Sequence, residues 1–167
     1  EERNIKVIYA SSSSAKNPIN FYGLTKKWNE DMFKMLLPNS IGLRFFTVYG
    51  PNMRKDMFIH KAIEAVKNGT DLDVYGHYER EFTYIDDIID CLIMAKDIEP
   101  GVYDCSSGEK KSLVDVLSEI TMLMNKPISE NRIHVADADC MVSKDSIIKN
   151  PIPFKEGIKR TIEQWQS

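Results

Sequence analysis

No glycine-rich phosphate loop occurs in this 167-residue sequence: its eight glycines are scattered, and Gly23, Gly42 and Gly50 stand alone. A self-contained Gly-x-Gly-x-x-Gly cradle for a dinucleotide pyrophosphate, placed between a strand and a helix, is therefore excluded. Cysteine is scarce too. Cys91, Cys105 and Cys140 are odd in number and widely spaced, which fits reduced thiols in a cytoplasmic protein rather than a disulfide framework. His60, His77 and His134 add no metal-ligand spacing, so a zinc site is not expected. No apolar run approaches the length that crosses a bilayer, and no stretch reads as a signal peptide. A net charge of -3 gives no general attraction to nucleic acid or to an anionic membrane, although a local basic pocket is compatible with it. What is left, 43% hydrophobic and 28% charged residues, suits a globular protein with one core.

The chain is organised around Tyr22-Gly23-Leu24-Thr25-Lys26 and the run Ser11-Ser12-Ser13-Ser14 before it. A Tyr and a Lys four residues apart share a helix face about one turn apart, so an ammonium can favour a phenolate that accepts a proton. The same spacing also arises in ordinary amphipathic helices. Its setting sharpens it: Asn4 to Ala10 is rich in β-branched and aromatic residues and reads as a strand, with the serines at its C-terminal end. Ligands of open α/β sheets bind at that end.

Further along, Leu24, Trp28, Met32, Phe33, Leu36 and Leu37 form a helical apolar stripe, stopped by Pro38-Asn39-Ser40. Ile41 to Tyr49 reads as one strand, parallel to the first, leaving through Gly50-Pro51-Asn52. A helix over about 57–68 ends at Gly69, and strands follow over 71–75 and 81–85, joined through Gly76-His77-Tyr78. Asp86 or Asp87 is expected to cap a helix to about Lys96; Val102 to Cys105 is a strand. Ser112 to Asp115 fits a capping box, the helix ends at Lys126-Pro127, Ile133-His134-Val135 is a strand candidate, and Phe154 to Trp165 is a helix.

Tyr9-Ala10-Ser11-Ser12-Ser13-Ser14, Tyr22-x-x-x-Lys26, Leu43-Arg44-Phe45-Phe46-Thr47-Val48-Tyr49-Gly50-Pro51 and Arg80-Glu81-Phe82-Thr83-Tyr84-Ile85-Asp86-Asp87 occur in that order. Together they resemble the extended short-chain dehydrogenases, in particular the NAD-dependent nucleotide-sugar epimerases and dehydratases. The resemblance implies an α/β fold: a partial Rossmann-like parallel sheet over 1–52 and a smaller substrate-binding region over 53–167, with 86–106 returning to the large sheet. Members open with a glycine-fingerprint βαβ unit, so this chain, which begins without Met almost directly in a strand, is expected to be the C-terminal half of an enzyme.

The roles so implied are Tyr22 as catalytic base, Lys26 as its electrostatic partner and a donor to the nicotinamide ribose, and Ser12 as the active-site hydroxyl. Ser11 and Ser13 are its neighbours, and a serine here also caps turns. Phe46 falls in the nicotinamide-contacting strand end, Thr47 at the sugar nucleotide, and Arg80 on its diphosphate. Arg80 between Glu79 and Glu81 also reads as a surface ion-pair cluster. Adjacent Asp86 and Asp87 are read as a cap, not a metal or acid pair.

The chain departs from the family in a short Ser12–Tyr22 interval, in Asp104-Cys105-Ser106-Ser107-Gly108 where relatives carry Asn and Gly, and in offering only Arg132 and Asp137 as a second phosphate contact. The expected activity is an NAD-dependent UDP-sugar 4-epimerase acting by transient hydride transfer. A dehydratase, a reductase of the same superfamily and a non-catalytic truncated module are the rivals. A homodimer through the Tyr22 helix is expected to compete with a reading in which Leu24, Trp28 and Met32 serve an ordinary core.

Overall fold

The computed structural model describes residues 5–75, 79–133 and 142–165. Along the chain lie β1 (Val7–Ser12), α1 (Phe21–Leu36), β2 (Ser40–Phe45), β3 (Thr47–Tyr49), α2 (Phe58–Asn68), β4 (Leu72–Tyr75) and β5 (Glu79–Tyr84). They are followed by α3 (Ile85–Met94), β6 (Gly101–Cys105), β7 (Lys110–Ser112), α4 (Leu113–Met124), β8 (Glu130–Ile133) and α5 (Phe154–Trp165). Short 3-10 turns occupy Ser13–Ala15 and Ala95–Asp97. The turn expected at Gly76-His77-Tyr78 lies outside the described residues, as do Glu1, His134, Val135, Asp137 and Cys140.

The fold is α/β with parallel sheets. In the first sheet, ordered β1-β2-β6, both pairings are parallel, and Ser11, Arg44 and Asp104 fall in one cross-strand row. β3 pairs parallel with β5, whose other neighbour is antiparallel β7; β4 and β8 form a separate parallel pair. The strand expected over 41–49 is thus two strands that break at Phe46 and join different sheets. β6 ends its ladder at Cys105 opposite Phe45, so beyond that point the backbone groups of Thr47 to Tyr49 find partners on β5 instead. Polar Lys110 to Ser112, which carries no strand signal in the sequence, is the added edge strand β7.

Strand alternation gives the first sheet two unlike faces. One presents Ile41, Leu43 and Cys105 to Ile88 and Cys91 of α3 and to Ala95 just after it, a small closed core. The other presents Tyr9, Ser11, Gly42 and Arg44 to α1, where Tyr9 stacks on Phe33 at 4.1 Å between ring centroids. The larger core lies between α2, α4, α5 and β3–β5, around Tyr49, Ile63, Phe82, Ile120 and Ile158.

Helix ends follow their sequence signals in most cases. Ser112 and Asp115 form the reciprocal capping box, and Gly69 (φ 67°) ends α2 in the left-handed region. α4 ends on left-handed Asn125 (φ 51°), ahead of Lys126-Pro127. The acidic cap of α3 is a correction: Tyr84 is the N-cap residue, with Asp86 and Asp87 inside the first turn. Asp87 turns inward and accepts the Ile152 N–H at 3.1 Å, tying the segment before α5 to α3.

The apolar stripe of α1 is a second correction. Leu24 and Trp28 are 54% and 66% exposed, so they serve no core within this chain. The helix buries Gly23 and Glu30 instead. Its inward face is centred on Glu30, which is drawn to Arg44, and on Gly23, which permits close approach to Ser14 and Pro18; Lys26 and then Tyr22 follow Glu30 at four-residue steps toward the exposed start of the helix.

Candidate functional site

The C-terminal ends of β1 and β2, with β3, open into a cleft of about 620 Å³. Its walls bring together Ser12, Phe46, Thr47 and Arg80, four of the residues singled out in the sequence. An adjoining chamber of about 320 Å³ shares Thr47 and Arg80 and is otherwise apolar, with Met53, Met57, Phe58, Phe82 and Leu113 around it. A cleft of mixed polarity beside an apolar chamber, with a guanidinium between them, suits an elongated ligand with a charged middle.

Ser12 is the last residue of β1 and does two things. Its side chain accepts the Ser14 N–H at 3.2 Å, capping the turn that follows, and it also lines the cleft. Ser11 points to the opposite face of the sheet, where its hydroxyl donates to Glu30 at 2.5 Å, so alternation along β1 leaves Ser12 as the cleft-side serine of the two.

Tyr22 and Lys26 stand apart from the cleft wall. Asn20 accepts the Gly23 N–H at 2.8 Å and starts α1, which puts Tyr22 in the first turn with its side chain 54% exposed. The Lys26 ammonium lies 5.8 Å from the Tyr22 ring centroid and donates to the Ala10 carbonyl at 3.1 Å. Among the described residues no hydrogen bond joins Ser12 to Tyr22. The pair is therefore stitched to the end of β1 beside the cleft, with the phenol accessible from outside.

Arg80 lies on β5 and donates to the Glu79 carbonyl at 2.9 Å. The flanking carboxylates are engaged elsewhere: Glu79 with Lys110 at 2.8 Å, and buried Glu81 with the Ser106 hydroxyl and the Ser143 N–H. The surface cluster suggested by Glu79-Arg80-Glu81 is thus divided among different partners. Arg132 is paired with Glu130 on β8 and is absent from the cleft wall.

Sequence reasoning missed several cleft residues. Arg54 supplies a second guanidinium to the wall and pairs with Asp56 at 3.2 Å; Asn17 and Asn20 add polar groups from the β1–α1 connection. Their sequence signal was a polar linker and an exit turn, which fixes no direction. Tyr49 also lines the cleft, but burial raises its phenol well above the ordinary value and its hydroxyl donates to the Phe154 carbonyl at 3.1 Å, so it is a structural group. Cys105 is likewise raised, by its contact with Cys91 and by burial. Among the described residues no cluster of metal-ligating side chains occurs, and no helix is long and apolar enough to cross a membrane.

A family model described as the NAD dependent epimerase/dehydratase family matches residues 2–104. The chain is 31% identical to uncharacterized protein MJ1055 of Methanocaldococcus jannaschii, over 93% of this chain and 57% of that protein. It is 26% identical to a probable UDP-glucuronate 4-epimerase of Rhizobium meliloti, over 97% of this chain and 58% of that protein. The chain thus spans somewhat over half the length of these curated relatives. Among solved structures it is similar to MoeE5 in complex with UDP-glucuronic acid and NAD, with a TM-score of 0.86, 25% identity, and coverage of 96% of this chain and 64% of that one. The fold is shared with a UDP-glucuronic acid 4-epimerase from Bacillus cereus at a TM-score of 0.84 and 24% identity, over 95% of this chain and 60% of that one.

Proposed function

We propose, from the premise that this chain belongs to the NAD dependent epimerase/dehydratase family, that it carries the catalytic and substrate-binding part of a UDP-sugar 4-epimerase. The observation that carries this reading is the cleft at the strand ends: Ser12, Phe46, Thr47 and Arg80 share its wall, and Lys26 is bonded to the end of the same strand that bears Ser12. In this reading residues 1–52 belong to the dinucleotide-binding layer and 53–167 mainly to the substrate region, with 86–106 rejoining the first sheet through β6.

The residues present fit one end of NAD. The Tyr22 oxygen and the Lys26 ammonium, an accessible donor, are suited to a ribose diol, and Phe46 offers an apolar wall at the strand end. The pyrophosphate end needs a glycine loop, which this sequence does not contain, so the residues present account for the nicotinamide end alone. When bound, NAD supplies a reversible hydride acceptor.

The chain's own residues handle protons and charge. Tyr22 is the base in this reading: its oxygen takes the proton of the sugar 4-hydroxyl as hydride leaves the same carbon, and it returns the proton when hydride adds to the other face. The Lys26 ammonium, 5.8 Å from the Tyr22 ring centroid, is its electrostatic partner. Ser12 donates its hydroxyl proton toward the sugar oxygen while its lone pair keeps the Ser14 N–H. Arg80 forks onto the diphosphate, and Thr47 contacts the sugar nucleotide. An epimerase is preferred to a dehydratase because the segment around Ser12 is all serine, without the acid pair that elimination of water calls for. In this reading the exposed stripe of Leu24 and Trp28 is a face for a second copy of the protein.

The test uses the protein isolated from its source, with NAD and a panel of UDP-sugars. The expected result is formation of the 4-epimer, with Tyr22→Phe slower by about 10²- to 10⁴-fold, the usual contribution of a positioned base. Full activity in Tyr22→Phe, or NAD bound with no sugar turned over, would overturn the reading.

A further inference from the structure

Tyr22, Lys26 and Glu30 follow one another at four-residue steps along α1, so one rotation of the helix about its axis aims all three. Little apolar packing sets that rotation. The outward stripe of α1 is exposed, and against the sheet the helix offers chiefly the Tyr9–Phe33 stack, Gly23 and Glu30. Glu30 is 4% exposed, a charge fully enclosed on a helix whose other charged residues reach solvent.

Its carboxylate is held at three points. Arg44 Nε donates to Oε1 at 2.9 Å, an Arg44 terminal nitrogen donates to Oε2 at 2.7 Å, and the Ser11 hydroxyl donates to Oε1 at 2.5 Å. This is the two-pronged arginine–carboxylate geometry, which fixes direction as well as distance. Arg44 is itself held from the other side by Asp104 at 3.7 Å, and Asp104 accepts from Lys16 at 2.6 Å and from Ser143 at 3.0 Å. Ser11, Arg44 and Asp104 are the cross-strand row of the first sheet, so the clamp is anchored in all three strands.

The clamp lies on the face of β1 opposite the cleft, one residue from Ser12. Ala10 and Ser11, consecutive in β1, receive Lys26 and Glu30, one helical turn apart in α1; the next residue of β1 is Ser12. Two adjacent stitches therefore fix the helix that carries Tyr22 relative to the strand that carries Ser12. Buried ionic groups contribute little net stability against apolar replacements, and their best-attested use is to specify one arrangement among several.

We propose that Glu30, clamped by Arg44 and Ser11, is a positioning residue: it sets the rotation of α1 and so holds the Lys26 ammonium at the end of β1 and Tyr22 within reach of the Ser12 side of the site. This rests on the epimerase reading for its catalytic consequence, but the placement of Lys26 is open to observation without turnover.

The test compares the native protein with Glu30→Gln, Ser11→Ala, Tyr22→Phe and a control, Ile63→Ala, in the larger core far from α1. Steady-state kinetics with a UDP-sugar and NAD are measured together with the ¹⁵N resonance of the Lys26 ammonium, assigned by its loss in Lys26→Met. Glu30→Gln is expected to lower kcat by about 10- to 100-fold, the scale of a misplacement near 1 Å, with KM for the nucleotide sugar nearly unchanged, and to broaden the Lys26 signal by faster exchange with water. Ser11→Ala, which leaves both arginine bonds, shows the same effects to a lesser degree, and Ile63→Ala loses thermal stability while keeping kcat and the Lys26 signal. Tyr22→Phe with full activity overturns the epimerase reading alone, and the Lys26 signal then decides the positioning claim. An inactive Tyr22→Phe beside Glu30→Gln with native kcat and an unaltered Lys26 signal overturns the positioning claim alone. If Glu30→Gln fails to fold, Ser11→Ala decides by the same two readouts.

Discussion

Gly157, in the first turns of α5, is where the fold meets the site wall most tightly. A Cβ placed there would stand 2.9 Å from Cζ of Tyr49 and 2.9 Å from Cδ2 of Tyr84, and closer still to the Tyr49 hydroxyl. Tyr49 cannot swing aside: it is enclosed, its ring meets Phe82, Tyr84 and Phe154, and its hydroxyl donates to the Phe154 carbonyl at 3.1 Å. Gly157→Ala gains about 1 kcal/mol of helix propensity. Against this stand about 1–3 kcal/mol of overpacking and about 1–3 kcal/mol for a buried hydroxyl displaced from its acceptor. The net loss is about 3 kcal/mol, and in a chain of this size it lowers Tm by roughly 6–12 °C. Urea unfolding of the wild type, Gly157→Ala, Tyr49→Phe and the double variant measures it. Tyr49→Phe alone costs about 1 kcal/mol, and because it vacates the space that the new methyl group invades, the double variant is more stable than the sum predicts by over ~0.5 kcal/mol. A neutral or stabilising Gly157→Ala, or strict additivity, would refute the packing described around Tyr49.

Three further outcomes are expected. Ile63→Ala, at a fully enclosed position of the larger core, lowers stability by about 2–5 kcal/mol in the same urea experiment. Arg80→Ala weakens UDP-sugar binding by about 10- to 150-fold in calorimetry, the value of about 1.5–3 kcal/mol for hydrogen bonds to a charged group, while leaving NAD affinity as it was. Asp87 gives a pH signature. Burial, above all, raises its carboxyl, outweighing the Ile152 N–H that lowers it. A raised acid binds more protons folded than unfolded, so its stabilising contribution is complete below its unfolded value, about 3.9, and is lost as pH rises through the raised folded value. Asp87→Asn retains an acceptor for Ile152 and removes that loss, so its stability relative to wild type climbs between about pH 4 and neutrality; a constant difference across that window contradicts the assignment.

Much of the architecture was legible because local signals agreed with it. Ser112 to Asp115 capped α4 as its pattern says, Gly69 ended α2, and the serine run fell at the end of β1. What was illegible depended on partners distant in sequence. Ile41 to Tyr49 looks like one strand because each residue suits a sheet, and only the end of β6 at Cys105 decides that β3 must pair with β5. The stripe of Leu24 and Trp28 looked like a core face because periodicity records spacing, not which side of the helix is buried; the side was chosen by Glu30 meeting Arg44.

The site shows the same division. Ser12, Phe46, Thr47 and Arg80 were found from motifs and share a wall. Arg54 and Asn17 were not, since a residue in a polar connection carries no sign of where it points. The network of Ser11, Glu30, Arg44 and Asp104 was likewise silent, because its members are spread over three strands and a helix and meet only once the sheet has formed.

The most direct test of the central claim follows hydrogen, not product alone. The protein from its source, supplied with NAD, is given a UDP-sugar carrying deuterium at carbon 4, and the epimer is analysed by mass spectrometry and NMR. Direct hydride transfer with Tyr22 handling only the hydroxyl proton predicts that the product keeps its deuterium at carbon 4, with a transient absorbance of reduced nicotinamide that disappears in Tyr22→Phe. Deuterium washed out into solvent, or turnover with no nicotinamide signal, contradicts the account.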